Sequence, residues 1–178
     1  MNGETLTGLL KKGQMILVQA GIKEAGLDAW LLLEYTTGKS RAYYFAHGEE
    51  NVSEETADQY LKLIGRRAEH IPLQHLTHQA FFMGYEFYVN ENVLVPRQDT
   101  ETLVEAALEC AKTAEADKEL HILDMCTGSG CILESILKFA ERKGICVSGT
   151  GCDISEEALK VAKENDSRLQ TGAVFIQG

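Results

Sequence analysis

The chain has 178 residues, of which 44% are hydrophobic and 25% are charged, and its formal net charge is −10 at pH 7. This composition is typical of a folded protein and excludes a collagen-like or intrinsically disordered chain. Polyanions are bound through clustered Lys and Arg, so the acidic balance predicts no direct nucleic-acid partner.

The apolar segments and the cysteines narrow the class further. No run of about eighteen apolar residues occurs, so the sequence predicts no contact with a membrane. The N-terminus, MNGETLTGLLKKGQ, lacks the apolar core of a signal peptide. The spacing of the cysteines does not fit a zinc site, so we predict no metal and expect free thiols in the cytoplasm. The five cysteines are Cys110, Cys126, Cys131, Cys146 and Cys152.

Helical periodicity dominates the N-terminal part of the chain, where apolar residues recur every three or four positions between polar ones. We predict a helical domain over residues 1–73. Its helices are expected from Leu6 to Gly21, from Asp28 to Gly38, from Ser40 to about His47 and from Ser53 through Ala68, with Asp28 and Ser53 as N-caps.

The periodicity then changes to that of β-strands. Two β-rich runs, AFFM and EFYV, are separated by Gly84 and Tyr85, a pattern that favours a β-hairpin. We assign residues 74–95 to this hairpin, as a linker between the helical domain and the C-terminal part of the chain.

Helices and strands alternate from residue 96 onward. The predicted helices are Thr100–Lys112, Cys131–Glu141 and Ser155–Asn165, and the predicted strands are His121–Met125, Val147–Cys152 and Val174–Gln177. This alternation predicts βαβ units and a parallel sheet. The expected fold class is therefore α/β: a helical bundle, a β-hairpin linker and, over residues 96–178, the first half of a Rossmann-like domain whose sheet is truncated after three strands.

The segment HILDMCTGSGCI, residues 121–132, carries the clearest sign of chemistry. A strand ends at Asp124, a loop comes next, and a helix begins near Cys131. Gly128 and Gly130 let the backbone approach a ligand at the carboxyl edge of the sheet, where open α/β sheets bind nucleotides. The loop is neither a G-x-G-x-x-G turn nor a P-loop with its lysine. Alone, such a loop is also compatible with a turn that binds nothing.

Asp153 ends the next predicted strand. An acid in this position is placed to accept hydrogen bonds from the ribose hydroxyls of an adenine nucleoside. Taken alone, Asp153 is equally compatible with an N-cap of the following helix. Together with Asp124 and the glycine-containing loop, it favours nucleoside binding.

These segments resemble a known family. LDMCTGSGCI resembles the first signature of class I methyltransferases, in which Gly-x-Gly-x-Gly follows an acid. Cys126 stands at the first glycine, where a side chain is tolerated if φ stays negative. IPLQHLTHQAFFMGYEFYVNENVLVPRQDTETLVE is similar to the HemK-type pattern P-x-Q-Y-I-x-G-x-x-x-F-x-G-x-x-F-x-V, followed by V-L-I-P-R-P-E-T-E. Matching positions are Pro72, Gln74, Phe82, Gly84, Phe87, Val89, Pro96, Arg97, Thr100 and Glu101, whereas His75, His78 and Gln98 depart from the pattern.

The resemblance implies an S-adenosylmethionine-dependent enzyme that methylates the side-chain amide of the glutamine in the Gly-Gly-Gln loop of class I peptide chain release factors. The helical domain would dock this protein substrate or, alternatively, only support the Rossmann-like part. Glu101 is equally compatible with serving only the dipole of its own helix. The implied cofactor residues are Asp124, Cys126, Thr127, Gly128, Ser129, Gly130 and Asp153, with Arg97, Asp99 and Glu101 at the mouth of the pocket.

The family's catalytic Asn-Pro-Pro-Tyr motif does not occur in this sequence, whose two prolines are Pro72 and Pro96. We therefore assign no catalytic residue and expect the chain alone to bind the cofactor weakly or not at all, to transfer no methyl group and to self-associate through its exposed third strand. Two alternatives remain. Acidic charge counts against a DNA adenine methyltransferase, and the intact loop with Asp153 counts against a non-catalytic protein-binding module.

Overall fold

The computed structural model describes residues 4–113 and 120–178. The chain divides into two compact units, Met1–Thr77 and His78–Gly178. The hairpin is grouped with the second unit, and the helix that precedes it with the first. The predicted domain boundaries, after residues 73 and 95, stay a prediction. Within the described ranges, none of the helices is both long and apolar enough to cross a membrane.

The described part of the first unit is helical, as the sequence predicts. Its helices are α1 (Leu6–Gln19), α2 (Ala25–Thr37), α3 (Arg41–His47), α4 (Glu54–Ala68) and α5 (Leu73–Thr77). The side chains at the centre of its core are fully buried and come from three helices: Leu9, Leu17, Ala29, Leu32, Leu33, Tyr60 and Ile64. The periodic apolar residues of α1, α2 and α4 thus form one core.

In the first unit, the helix ends follow the sequence with one exception. Ser53 caps α4, since its side chain accepts a hydrogen bond from the Thr56 N–H. Gly38 ends α2 in the left-handed conformation, with φ of +66°. The prediction of Asp28 as an N-cap is wrong, because α2 begins earlier, at Ala25, and Asp28 is buried in it. Its carboxylate accepts a hydrogen bond from Arg67 Nε at 2.7 Å, a tertiary contact that periodicity does not reveal.

The hairpin consists of β1 (Ala80–Phe82) and β2 (Tyr85–Phe87), which pair antiparallel with Phe82 opposite Tyr85. The predicted turn, Gly84–Tyr85, is wrong by one residue, since Tyr85 begins β2. The two turn residues are Met83 and Gly84, and both have positive φ, of +51° and +77°. Two-residue hairpin turns of type I′ require this conformation at both positions, which is why Met83 joins the turn.

The second unit has the predicted α/β fold with a parallel sheet. After a 3₁₀ turn at Gln98–Thr100 come α6 (Glu101–Thr113), β3 (Leu120–Met125), α7 (Cys131–Arg142), β4 (Val147–Asp153), α8 (Glu156–Leu169) and β5 (Val174–Gln177). The three strands lie in chain order and pair in parallel, with Asp124 opposite Gly151 and Asp153 opposite Gln177.

Glycines in β4 let α7 and the loop after β3 approach the sheet. A Cβ atom at Gly149 would lie 2.6 Å from Leu133 Cδ1 of α7. A Cβ atom at Gly151 would lie 2.6 Å from the Phe175 ring and 2.9 Å from Thr127 Oγ1. Both distances are shorter than van der Waals contact, so the helix and the loop occupy the space that side chains would otherwise fill.

One face of the sheet exposes large apolar side chains. The exposed residues are Leu123 and Met125 of β3 and Val174 and Ile176 of β5. The strand register places Leu123, Thr150 and Val174 in one row across the sheet and Met125, Cys152 and Ile176 in the next. An apolar surface of this kind favours association, and self-association through β5 stays a prediction.

Candidate cofactor site

Asp124 and Asp153 both lie at the carboxyl edge of the sheet, as the sequence predicts. Asp124 lies one residue before the end of β3, and Asp153 is the last residue of the neighbouring strand β4. The N–H of Gly128, in the loop after β3, donates a hydrogen bond to Asp153 Oδ2 at 2.9 Å. The acid of one strand therefore holds the loop that follows the other.

Thr127 fixes the middle of the loop. Its Oγ1 donates to Asp124 Oδ2 at 2.7 Å, and its N–H donates to the Cys152 carbonyl at 2.9 Å. The Thr127 carbonyl in turn accepts from the Gly130 N–H at 2.9 Å. Thr127 and Ser129 are buried, with 6% and 3% of their surface exposed. The loop is thus tied to both strands, and its polar side chains face inward.

Asp124 holds the loop from a partly desolvated position. Burial raises the pKa of its carboxyl group, the nearby charge of Asp153 adds to the increase, and the hydrogen bond from Thr127 opposes it. This hydrogen bond occupies one carboxylate oxygen of Asp124. The arrangement favours a role for Asp124 in shaping the loop.

Cys126 adopts a conformation that the sequence analysis did not expect. Its φ is +61°, so the condition that a side chain here keeps φ negative is not met. The chain turns sharply between β3 and α7, and Gly128 and Gly130 are also left-handed there, with φ of +56° and +79°. For a residue with a Cβ atom, this region costs about 1–2 kcal/mol. Cys126 therefore carries backbone strain at the position of the family's glycine.

Replacing Cys126 with glycine is expected to stabilise the chain. Relief of the left-handed strain, about 1–2 kcal/mol, exceeds the extra unfolded-state entropy of glycine, about 0.5–1 kcal/mol. The free energy of unfolding, measured with urea, should rise by about 0.5–1 kcal/mol. Cys126→Ala is the matched control, because it removes the thiol but keeps the Cβ atom. An equal gain in both variants, or a loss in Cys126→Gly, would contradict the assignment of strain.

Asp153 is not the N-cap of α8. That position belongs to Ser155, whose side chain accepts from the Ala158 N–H. Asp153 Oδ1 accepts from the Ser155 N–H at 2.9 Å, while Oδ2 accepts from Gly128. An ionised carboxylate offers about four acceptor positions, so Asp153 keeps capacity for the hydroxyl groups of a ligand while it holds the loop and the turn before α8.

Two residues at this site were missed by sequence reasoning. Ile154 follows Asp153 and is 82% exposed, and its carbonyl accepts from Gln177 Nε2 at 3.0 Å. The sequence signal that could have identified Ile154 is its position, as an apolar residue directly after the acid that ends a strand. The sequence predicts Asn165 as the end of a helix, but α8 continues to Leu169. Asn165 is fully buried and donates to the Ser129 carbonyl at 2.8 Å.

The residues predicted at the pocket mouth lie around the start of α6. Arg97 and Asp99 are exposed. Glu101 Oε1 accepts a hydrogen bond from the Met83 N–H at 2.7 Å, so its carboxylate supports the left-handed turn of the hairpin. A structural role of Glu101 is thereby established, and the assignment of all three residues to a pocket mouth stays a prediction.

The structure also shows whether a cysteine nucleophile or a metal ion could act among the described residues. Burial raises the pKa of the Cys131 thiol to about 11, so this thiol is protonated at neutral pH and does not act as a thiolate nucleophile. In the part of the chain that the structure describes, no group of three or more His, Cys, Asp or Glu side chains is arranged to hold a metal ion. The groups available to hold a ligand here are the backbone of the loop and the carboxylates of Asp124 and Asp153.

Comparison with known sequences identifies relatives of both units. A model of the PrmC N-terminal domain matches residues 8–77. The release factor glutamine methyltransferase of Clostridium acetobutylicum is 38% identical over 142 residues, which cover 80% of this chain and 47% of that protein. The enzyme of the same name from Bacillus subtilis is 34% identical over 176 residues, which cover 98% of this chain and 59% of that protein. The chain spans about half to three-fifths of the length of these relatives.

Among solved structures, a putative class I S-adenosylmethionine-dependent methyltransferase from Listeria monocytogenes matches 97% of this chain and 51% of its own, with 18% identity and a TM-score of 0.40. The parallel sheet, with its glycine-containing loop after β3, defines a Rossmann-like α/β protein. Residues 8–77 belong to the PrmC N-terminal domain family, and the chain as a whole is similar to part of the release factor glutamine methyltransferases.

Proposed function

We propose that the chain provides the cofactor-binding loop and the helical domain of a cytoplasmic enzyme that methylates a class I peptide chain release factor. The methyl group of S-adenosylmethionine is transferred to the side-chain amide of the glutamine in the Gly-Gly-Gln loop. The observation that supports this best is the hydrogen bond from the Gly128 N–H to Asp153 Oδ2, because it joins the loop to the acid expected to bind a ribose. The names and coverage of the relatives agree with this proposal.

The residues at the carboxyl edge fit the three parts of S-adenosylmethionine. Asp153 offers acceptors to the ribose hydroxyls. The exposed side chain of Ile154 offers an apolar surface to the adenine ring. The loop residues Cys126–Gly130 lead into the N-terminus of α7, whose free N–H groups and dipole favour the cofactor carboxylate. When bound, the cofactor supplies an electrophilic methyl group on its sulfonium.

Methylation of a side-chain amide depends more on how the enzyme orients the amide nitrogen than on a strong general base. The lone pair of an amide nitrogen is delocalised, so the nitrogen attacks only if it is held in line with the methyl group and its N–H groups have acceptors. In the family, the acceptors belong to the Asn-Pro-Pro-Tyr motif, which this sequence does not contain. The residues of this chain bind and orient the cofactor, and the 178-residue chain alone transfers no methyl group.

The helical domain offers a surface for a protein substrate. Met15 and Val18 on α1 are 62% and 60% exposed, and Phe45 on α3 is 82% exposed. Met15 and Val18 lie one helical turn apart on α1, and contiguous exposed apolar surface is characteristic of protein-binding sites. We assign docking of the release factor to this domain.

Competition for labelled S-adenosylmethionine tests the cofactor assignment. The protein that the gene encodes in full should bind it in equilibrium dialysis. S-adenosylhomocysteine should displace it, because it has the same nucleoside and amino-acid parts, whereas ATP and NAD should not, because the loop lacks a phosphate-binding glycine pattern and lysine. Equal displacement by ATP or NAD would indicate a general nucleotide site and contradict the proposal.

A further inference from the structure

Asn165 of α8 uses every polar atom of its side chain on the backbone of two other segments. Its side chain is fully buried. Oδ1 accepts from the Tyr88 N–H at 2.7 Å, while Nδ2 donates to the Tyr88 carbonyl at 3.0 Å and to the Ser129 carbonyl at 2.8 Å. The partners fix the orientation of the amide, because a flipped amide would place its oxygen against two carbonyls.

Tyr88 belongs to the segment that comes after the hairpin. Asn165 pairs with both its N–H and its carbonyl, as the backbone of a neighbouring strand would. The Tyr88 ring stacks on His78 at 5.5 Å, and Arg168 of α8 lies over it at 5.1 Å. Residues on either side of this contact form one apolar cluster with α8: Ala80, Val89, Val93, Ala158 and Val161. The segment after the hairpin is therefore fixed to α8.

The third hydrogen bond of Asn165 reaches the cofactor loop. The Ser129 carbonyl belongs to the peptide that leads into Gly130, where φ is +79°. A Cβ atom at Gly130 would lie 3.4 Å from the Cβ atom of Ala162, so α8 also supports the loop by direct packing. Fixing this peptide sets the direction in which the chain enters α7 and thus the direction of the first N–H groups of that helix.

We propose that Asn165 is a positioning residue for the cofactor loop, and that it holds the Ser129–Gly130 peptide in the conformation that binds S-adenosylmethionine by anchoring it to α8 and to Tyr88. The inference rests on the function proposed above. Without the amide, three backbone groups lose their partners: the buried Ser129 carbonyl and the half-buried N–H and carbonyl of Tyr88. The loop then samples other conformations, and the cofactor must select the binding one.

Hydrogen exchange of the 178-residue chain tests the anchor without any ligand. In Asn165→Ala, the Gly130 N–H should exchange at least about tenfold faster than in the unsubstituted chain, whereas strand amides such as that of Ile122 should not change. Asp166→Ala is the matched control, because Asp166 neighbours Asn165 and accepts hydrogen bonds from the Gly172 and Ala173 N–H groups in the turn before β5. This control should leave Gly130 protected. Unchanged exchange at Gly130 in Asn165→Ala, or equal acceleration throughout, would overturn the proposal.

Asn165→Asp supplies a second readout, which a merely structural role would not give. An aspartate here faces two carbonyls, so its neutral form, which can donate to Ser129, is favoured. In the protein that the gene encodes in full, cofactor affinity of this variant should be about tenfold weaker than that of the unsubstituted protein at about pH 8 and should recover as the pH falls. A constant ratio of affinities across this range would overturn the inference. Failure of the unsubstituted protein to bind the cofactor would instead refute the proposed function, and the exchange experiment would still decide the role of Asn165.

Discussion

Glu134→Gln is expected to raise the free energy of unfolding by about 2 kcal/mol at pH 8 and to change it little at pH 5. Glu134 lies in the first turn of α7 and is fully buried. Thr171 donates to its Oε2 at 2.6 Å, but its buried Oε1 has no hydrogen-bond partner. Burial raises the pKa of its carboxyl group to about 7, the charge of Asp166 adds to the increase, and Thr171 and Lys138 oppose it.

The direction of the pH dependence follows from the number of protons that Glu134 binds in the folded and in the unfolded chain. The pKa is about 7 in the folded state and 4.5 in the unfolded state, so the folded chain binds more protons between these values. Stability therefore falls as the pH rises from 4.5 to 7, and above 7 the full cost of the buried charge, about 3 kcal/mol, is present. Glutamine removes the charge but leaves a buried N–H unpaired, which costs about 1 kcal/mol.

Urea denaturation at about pH 5 and about pH 8 measures this difference. Glu164→Gln is the control: Glu164 also lies in the second unit but pairs with Arg168 at the surface, so its loss should change stability by less than about 0.5 kcal/mol at either pH. An unsubstituted chain with no loss of stability between the two pH values, or an equal loss in Glu134→Gln, would contradict the assignment of a buried charge to Glu134.

Asp153→Ala is expected to weaken S-adenosylmethionine binding by about 1.5–3 kcal/mol, or roughly 10- to 100-fold in affinity. The substitution removes the charged acceptor assigned to the ribose and also leaves the Gly128 N–H without its partner. Calorimetry on the protein that the gene encodes in full measures the effect.

The control for Asp153→Ala is Ser155→Ala. Ser155 caps α8, so its loss should lower stability by about 1 kcal/mol without removing a cofactor acceptor. Cofactor affinity should therefore stay unchanged in Ser155→Ala. Unchanged affinity in both variants would mean that Asp153 only holds the loop and the turn before α8.

Local signals in the sequence were sufficient for most elements of the fold. Ser53 and Gly38 have the chemistry of helix ends, and the alternation after residue 96 is that of βαβ units, so each of these predictions is confirmed. Asp28 also has the chemistry of an N-cap. Its carboxylate instead accepts a hydrogen bond from Arg67, which is 39 residues away in the sequence. No local sequence pattern encodes such a pairing.

In the candidate site, too, residues with a local sequence signal were predicted, and residues placed by tertiary contacts were not. The loop and Asp153 were predicted to bind the cofactor because their residue types and spacing reflect backbone conformation and strand ends, and this assignment stays a prediction. Cys126 could not be assigned a positive φ, because its conformation is imposed by the turn between β3 and α7 rather than by its own preference. Asn165 carried no signal, since its importance arises from two backbone segments that folding brings to α8.

Transfer of a labelled methyl group to a release factor tests the central claim most directly. The protein that the gene encodes in full is incubated with labelled S-adenosylmethionine and a class I peptide chain release factor, and the modified residue is identified by mass spectrometry. We predict that the label appears on the glutamine of the Gly-Gly-Gln loop, and that the 178-residue chain alone transfers none. Label on DNA adenine, or a release factor left unmodified by a full-length protein that binds the cofactor, would contradict the account.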